Sequence, residues 1–184
     1  MAESDKIALA FFAFLNHQDA AHLRGGVLVT DGRGKPLEFR CTSPVRPTNL
    51  QRVLYGKALI PHVTVELMAL PLVKALREHP TAVLVGDLGV LELRRKIELP
   101  VIHLRRQGDS FGSVTDKAEK PMVVESSSGR FQAVVATPHW EYTSDVNSVR
   151  ESLSAVFANS DVLEPFDRVM KALLEIDQQK GFEG

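Results

Sequence analysis

Apolar positions along the chain fall into three kinds of run. The first kind is continuous: Ile7 to Leu15 reads IALAFFAFL, with Phe11 and Phe12 adjacent. Such a run fits a strand covered on both faces. The flank before it carries Glu3 and Asp5 against Lys6, the wrong charge for a secretory leader. The second kind alternates. Val27–Thr30 and Leu37–Thr42 predict a hairpin, joined by Asp31-Gly32-Arg33-Gly34-Lys35-Pro36. In its second strand Leu37, Phe39 and Cys41 share one face, while Glu38, Arg40 and Thr42 share the other. Cys41 is therefore expected to face the core.

The third kind repeats at helical spacing. Ser43-Pro44-Val45-Arg46-Pro47 is a stiff extended link, because each proline pushes its predecessor out of the helical region. Thr48-x-x-Gln51 then forms a capping box. Leu50, Val53, Leu54 and Leu59 follow at helical spacing, then Val63, Leu67, Leu70, Val73 and Leu76. Pro61 and Pro71 interrupt this pattern, which predicts a bent helix over 48–79. Thr81–Val85 predicts a strand closed by Gly86-Asp87, and Val101–Leu104 another. Between them, Leu88–Leu99 fits an edge strand or a short helix. Residues 107–120 read as an exposed loop, and Met122–Glu125 with Phe131–Thr137 as a second hairpin around Ser126–Gly129. A second capping box, Ser148-x-x-Glu151, opens a helix carrying Val149, Leu153, Val156 and Phe157. Asp161 caps the last helix, whose stripe runs from Val162 to Leu174, and Gly181 ends it.

The resulting order, β-β-β-α-β-β-β-α-α, predicts an α+β fold. Its mostly antiparallel sheet of about five to seven strands carries a central bent helix and two C-terminal helices. One domain is expected over 1–184, with the sheet and bent helix in 1–145 and the helical pair in 146–184. The element order resembles profilin-like and longin-like modules, a likeness of order alone.

Composition narrows the function classes. The 184 residues are 44% hydrophobic and 24% charged, with a net charge of −1, which gives no overall attraction to nucleic acid or membrane. No run approaches the ~18 apolar residues of a membrane span. A single cysteine, Cys41, excludes an internal disulfide and a thiolate zinc cage, and fits a reducing, cytoplasmic setting. The six histidines include no i, i+4 pair of the helical metal-site kind. His17 and His22 fall in a polar connection and read as solvated loop residues. No metal site and no cofactor is expected.

Two constellations remain. Asp31 with Glu38-x-Arg40 resembles the restriction-endonuclease-like pattern, in which Asp and Glu on a hairpin hold a divalent metal and a lysine follows two residues after the Glu. Here arginine takes the lysine position, and arginine stays protonated and cannot serve as a tunable base. The resemblance implies a metal-dependent nuclease or other hydrolase using Asp31, Glu38 and Arg40. This is the alternative reading.

The other constellation is charge. Arg24, Arg33, Lys35, Arg40, Arg46, Arg52 and Lys57 face only Asp31 and Glu38, whereas from Glu141 onward nine acidic residues meet four basic ones. Such polarity marks two partner surfaces, or two regions that pair with each other in the fold. The leading expectation is a non-enzymatic adaptor or accessory subunit, mediating protein–protein interaction through Arg40, Arg46, Arg52 and Lys57. Nucleic acid is a second candidate partner for the 24–57 basic face. The oligomeric state stays open.

Overall fold

The computed structural model describes residues 7–17, 21–109 and 121–180. Seven strands form one sheet: β1 (Ala8–His17), β2 (His22–Asp31), β3 (Pro36–Cys41), β4 (Ala82–Val85), β5 (Val101–Arg106), β6 (Met122–Val124) and β7 (Val134–Pro138). Their order is β3-β2-β1-β4-β5-β7-β6. The α+β class with a central helix and C-terminal helices holds, but the sheet is mixed rather than mostly antiparallel. β1, β4 and β5 run parallel, and antiparallel hairpins extend both edges. A helical connection lets a chain re-enter a sheet in either direction, so pattern alone leaves that choice open.

β1 is the continuous apolar run, and it is covered on both faces. Ala10 and Phe12 pack beneath the central helix with Val27, Val29, Val83 and Val85. Leu9 and Phe11 pack on the opposite side with Ala82, Leu84, Ile102 and the helix Asp145–Asn159. The final helix, Glu164–Lys180, lies along β1 and β2 through Val169 and Leu173. Two helical layers thus sandwich the sheet.

The central helix spans Asn49–Lys74. Its capping box forms as the sequence dictates: Gln51 N donates to Thr48 Oγ1 at 3.2 Å, and Thr48 N donates to Gln51 Oε1 at 2.8 Å. The helix continues past Pro61 and Pro71 by loosening into a π segment over Val63–Ala69, in which Leu70 N reaches Val65 O. By length and composition this helix could cross a membrane, contrary to the sequence expectation. Its second half instead covers the sheet with Met68, Ala69, Leu72 and Val73. The first turns differ from expectation more sharply. Leu50, Val53 and Leu54 are exposed, and the stretch Asn49–Tyr55 buries no residue.

Three local readings change. Leu88–Arg95 is a 3-10 helix opened by Asp87, so the ambiguity over 88–99 resolves to helix. The helix of Ser148 begins earlier, at Asp145, and the Ser148 hydroxyl donates to Asp145 O at 2.7 Å instead of capping. Of the loop expected over 107–120, residues 110–120 lie outside the described residues, as does Gly181.

Gly25 and Gly26 on β2 admit both layers at one point. A Cβ on Gly25 would lie 2.8 Å from Met68 Cβ of the central helix. One on Gly26 would lie 3.0 Å from Val169 Cγ1 and 3.1 Å from a Leu173 methyl of the final helix. Gly25→Ala should cost roughly 1–3 kcal/mol through overpacking, and Gly26→Ala less, because the atoms it meets at 3.0 and 3.1 Å are side-chain methyls able to give by a few tenths of an ångström. Gly86→Ala, with nothing within 4 Å of its added methyl, should stay within about 0.5 kcal/mol of the parent. Urea unfolding midpoints of the three variants measure the contrast.

Candidate functional site

Ligand sites in parallel sheets form beyond the carboxyl ends of the strands. β4 ends there, with Val85 opposite Phe12 of β1, which runs on to His17. A cavity of about 290 Å³ opens at this place, lined by Phe12, Phe14, Gly86, Asp87, Phe166 and Met170 among others. The rest of its lining is apolar, with Phe12, Phe14, Val90, Phe166 and Met170, and Phe166 meets the Phe11 ring edge-on at 5.4 Å. Asp87 is the one carboxylate in the lining. It is exposed, and its Oδ1 accepts from Gly89 N at 2.8 Å, which starts the 3-10 helix.

Behind Asp87 sits His103 on β5, only 5% exposed, with an Nδ1 that has no hydrogen-bond partner. Burial strips water from the charged imidazolium and pushes its pKa down to about 4. The Asp87 charge and a hydrogen bond with the Gly86 backbone oppose this, while Arg105 adds to it. His103 is therefore a neutral imidazole at neutral pH.

A second polar group lies at the far end of β1, beneath the final helix. His17 and His22 face each other across the β1–β2 hairpin, with rings stacked at 4.3 Å. They are not the solvated loop residues that the sequence predicts. Both Nε2 atoms converge on Asp177 Oδ2, at 3.3 Å from His17 and 3.2 Å from His22. Arg24, 2% exposed, holds the other oxygen, with Nε 2.7 Å from Oδ1. Burial alone would raise the Asp177 pKa. The His22 hydrogen bond and the charges of Arg24, His22 and His17 outweigh it and keep the carboxyl below its ordinary value. Removing the carboxylate would strand a buried guanidinium, which costs about 3–5 kcal/mol.

Asp31 and Glu38 occupy structural posts. Asp31 Oδ1 accepts from the backbone N–H groups of Arg33 (2.9 Å) and Lys35 (2.8 Å), tying the hairpin loop. Glu38 Oε2 accepts from Arg77 N (2.8 Å) and Glu78 N (2.9 Å), and Oε1 from Arg40 Nε (2.6 Å). Burial would raise the Glu38 pKa, but the hydrogen bonds from Glu78, Arg40 and Arg77 hold it below the usual carboxylate value. Among the described residues, no third carboxylate or imidazole joins these two in a group able to hold a metal; His17, His22 and Asp177 do form one.

The basic cluster divides. Arg24 is buried and Arg40 is paired with Glu38, whereas Arg46 and Lys57 stand exposed and Arg52 is half-buried. Arg46 borders a small cavity of about 140 Å³ with Gln51, Tyr55 and His62. Sequence reasoning missed Asp87, His103 and Asp177. The signal for Asp87 was present, since a β-branched strand running into Gly-Asp is where an α/β sheet places a ligand site. Asp177, 155 residues from His22, gave none.

No protein-family model and no curated protein matches the sequence. Solved structures do match in fold. Endonuclease V from Bacillus subtilis is 12% identical with a TM-score of 0.61, covering 95% of this chain and 82% of that one. Human ENDOV is 14% identical with a TM-score of 0.64, covering 95% and 86%. Endonuclease V from Ciona intestinalis, in complex with a 23mer DNA containing an inosine followed by a ribo-adenosine, is 8% identical with a TM-score of 0.54, covering 94% and 86%. The chain is similar to these in fold. That likeness overturns the expectation of a non-enzymatic adaptor or accessory subunit mediating protein–protein interaction, because the neighbours are nucleic-acid-cleaving enzymes. It also displaces the profilin-like and longin-like comparison.

His103 generates a pH prediction. Its folded pKa of about 4 lies below the ordinary 6.5. Between those values the unfolded chain binds a proton that the folded chain refuses. Stability contributed by the neutral form is complete above pH 6.5 and drains away as pH falls toward 4. The loss approaches about 3 kcal/mol. Urea unfolding of the parent and of His103→Gln across that window should show the parent losing stability more steeply.

Proposed function

We propose that this chain acts on nucleic acid as a phosphodiester-cleaving enzyme. One observation supports the reading: the mixed sheet and its helices share the endonuclease V fold over 95% of the chain. The nuclease class was the alternative reading of the sequence. The residues assigned to it here differ, because neither Asp31 nor Glu38 borders the crevice. Asp87 is the carboxylate that borders the crevice, in reach of a substrate lying over the end of β4 beside β1. Its role in this proposal is to orient and deprotonate an attacking water. The neutral His103 behind it adds no second charge.

A hard dication held by protein asks for several oxygen ligands. The crevice lining offers one carboxylate on an apolar floor, so the crevice residues alone do not fit such an ion, and no step is routed through one there. Arg46 and Lys57, with Arg52, are the cations proposed to meet phosphate.

The test is cleavage of end-labelled single- and double-stranded DNA and RNA, including inosine-containing strands, with and without added Mg²⁺, Mn²⁺ or Zn²⁺. The parent should cut, Asp87→Asn should be slower by about 10²–10⁴-fold, and Asp31→Asn should cut at the parent rate. Arg46→Glu and Lys57→Glu should each weaken binding across sequences and lower the salt slope by about 1. An uncut panel, or full cleavage by Asp87→Asn, would overturn the assignment.

A further inference from the structure

We infer that His17, His22 and Asp177 form a transition-metal site of the zinc class, separate from the crevice. One side chain each from the end of β1, the start of β2 and the last turns of the final helix supplies a donor atom. All three donors lie within 4.8 Å of one another. Ligand atoms about 2.0–2.1 Å from a tetrahedral zinc ion lie roughly 3.3–3.4 Å from each other. The two measured edges, 3.3 and 3.2 Å from the histidine nitrogens to Asp177 Oδ2, have that length.

The polar accounting points the same way. His17 Nε2 is sealed from solvent and makes no hydrogen bond, although it lies 3.3 Å from the carboxylate. His22 Nε2 is hydrogen-bonded to Asp177 Oδ2 at 3.2 Å, whereas His17 Nε2 beside it is not. A cation between the three atoms would serve all of them. The donor set is two imidazoles and one carboxylate, which suits zinc and its neighbours and not magnesium or calcium. Three protein ligands leave a fourth position for water.

Arg24 completes the site from outside. Its Nε, 2.7 Å from Asp177 Oδ1, orients the carboxylate and leaves Oδ2 to the ion. Its charge also tempers the affinity for a dication. Bound there, the ion would add a further tie between the β1–β2 hairpin and the final helix, which Phe166, Val169, Leu173 and the Arg24–Asp177 pair already hold to the sheet. This inference does not depend on the nuclease reading, since it is read by metal uptake without nucleic acid.

The experiment uses the full chain, stripped with a chelator and dialysed. Zn²⁺ titration by calorimetry should give one ion per chain, and Co²⁺ should give the intense visible absorption of a four-coordinate site. Zn²⁺ should also raise the thermal unfolding midpoint. His17→Ala and His22→Ala should each weaken uptake by at least roughly 10–100-fold and abolish the thermal shift, with circular dichroism unchanged. Asp177→Asn disturbs Arg24 as well, so the histidine variants carry the decision. A stripped parent that takes up no zinc would overturn the site, as would uptake of equal strength in both histidine variants.

Discussion

The structure turns on two glycines. Gly25 and Gly26 sit side by side on β2, and successive residues of a strand point to opposite faces. One therefore admits Met68 of the central helix and the other admits Val169 and Leu173 of the final helix. A Cβ at Gly25 would collide with Met68 Cβ at 2.8 Å, and one at Gly26 would press on the Val169 and Leu173 methyls. Because the final helix is seated by Gly26, its later turns reach Arg24 and the two histidines at the hairpin end. The same seating sets Phe166 and Met170 as one wall of the crevice. Both candidate sites include residues of the final helix that this close approach seats, Phe166 and Met170 in one and Asp177 in the other.

That packing also decides what chemistry the middle of the sheet can hold. β1 carries phenylalanine at 11 and 12, and the Phe11–Phe166 contact fills the space where β1 faces the final helix. Burying a charge among such rings is costly unless it is paired. Asp87 lies beyond β4 and His17 and His22 at the hairpin end, while Arg24 on β2 and Glu38 with Arg40 on β3 are paired. His103 has no such charge partner in contact. It is buried, and it escapes the cost by staying neutral.

Much of the fold was legible because it rests on local rules. The two-sided burial of β1, the hairpin of β2 and β3, and the capping box of Thr48 each follow from a few adjacent residues. The parallel placement of β4 and β5 was not legible, since it depends on where long connections return. Nor was the fate of Leu50, Val53 and Leu54. Their spacing fixes a helical face but not whether anything covers it, and here they are exposed. The candidate sites were less legible than the fold. Asp31 and Glu38 look like metal ligands by type and spacing, yet Asp31 Oδ1 accepts from the backbone N–H groups of Arg33 and Lys35, and Glu38 Oε2 from those of Arg77 and Glu78. Asp177 joins His17 and His22 only through tertiary packing.

The charge polarity of the sequence resolves in the same way. A basic early chain and an acidic late chain offered two readings, separate partner surfaces or mutual pairing. The fold realises the second for one member of the basic cluster, Arg24 with Asp177; two arginines outside the cluster pair in the same manner, Arg94 with Asp145 and Arg106 with Asp161. Each pair ties a C-terminal helix, or its entry turn, to the sheet or to the 3-10 helix. Arg94 also lies over the Tyr142 ring at 4.1 Å, next to the start of that helix. Such partly buried pairs add little net stability against an apolar alternative, but breaking one strands its partner. Their effect is therefore to fix position: they hold the two helices in the one placement that closes the crevice and brings Asp177 to the histidines. What remains of the basic cluster after that pairing is the smaller exposed set on the link and first turns of the central helix, Arg46 and Lys57 foremost.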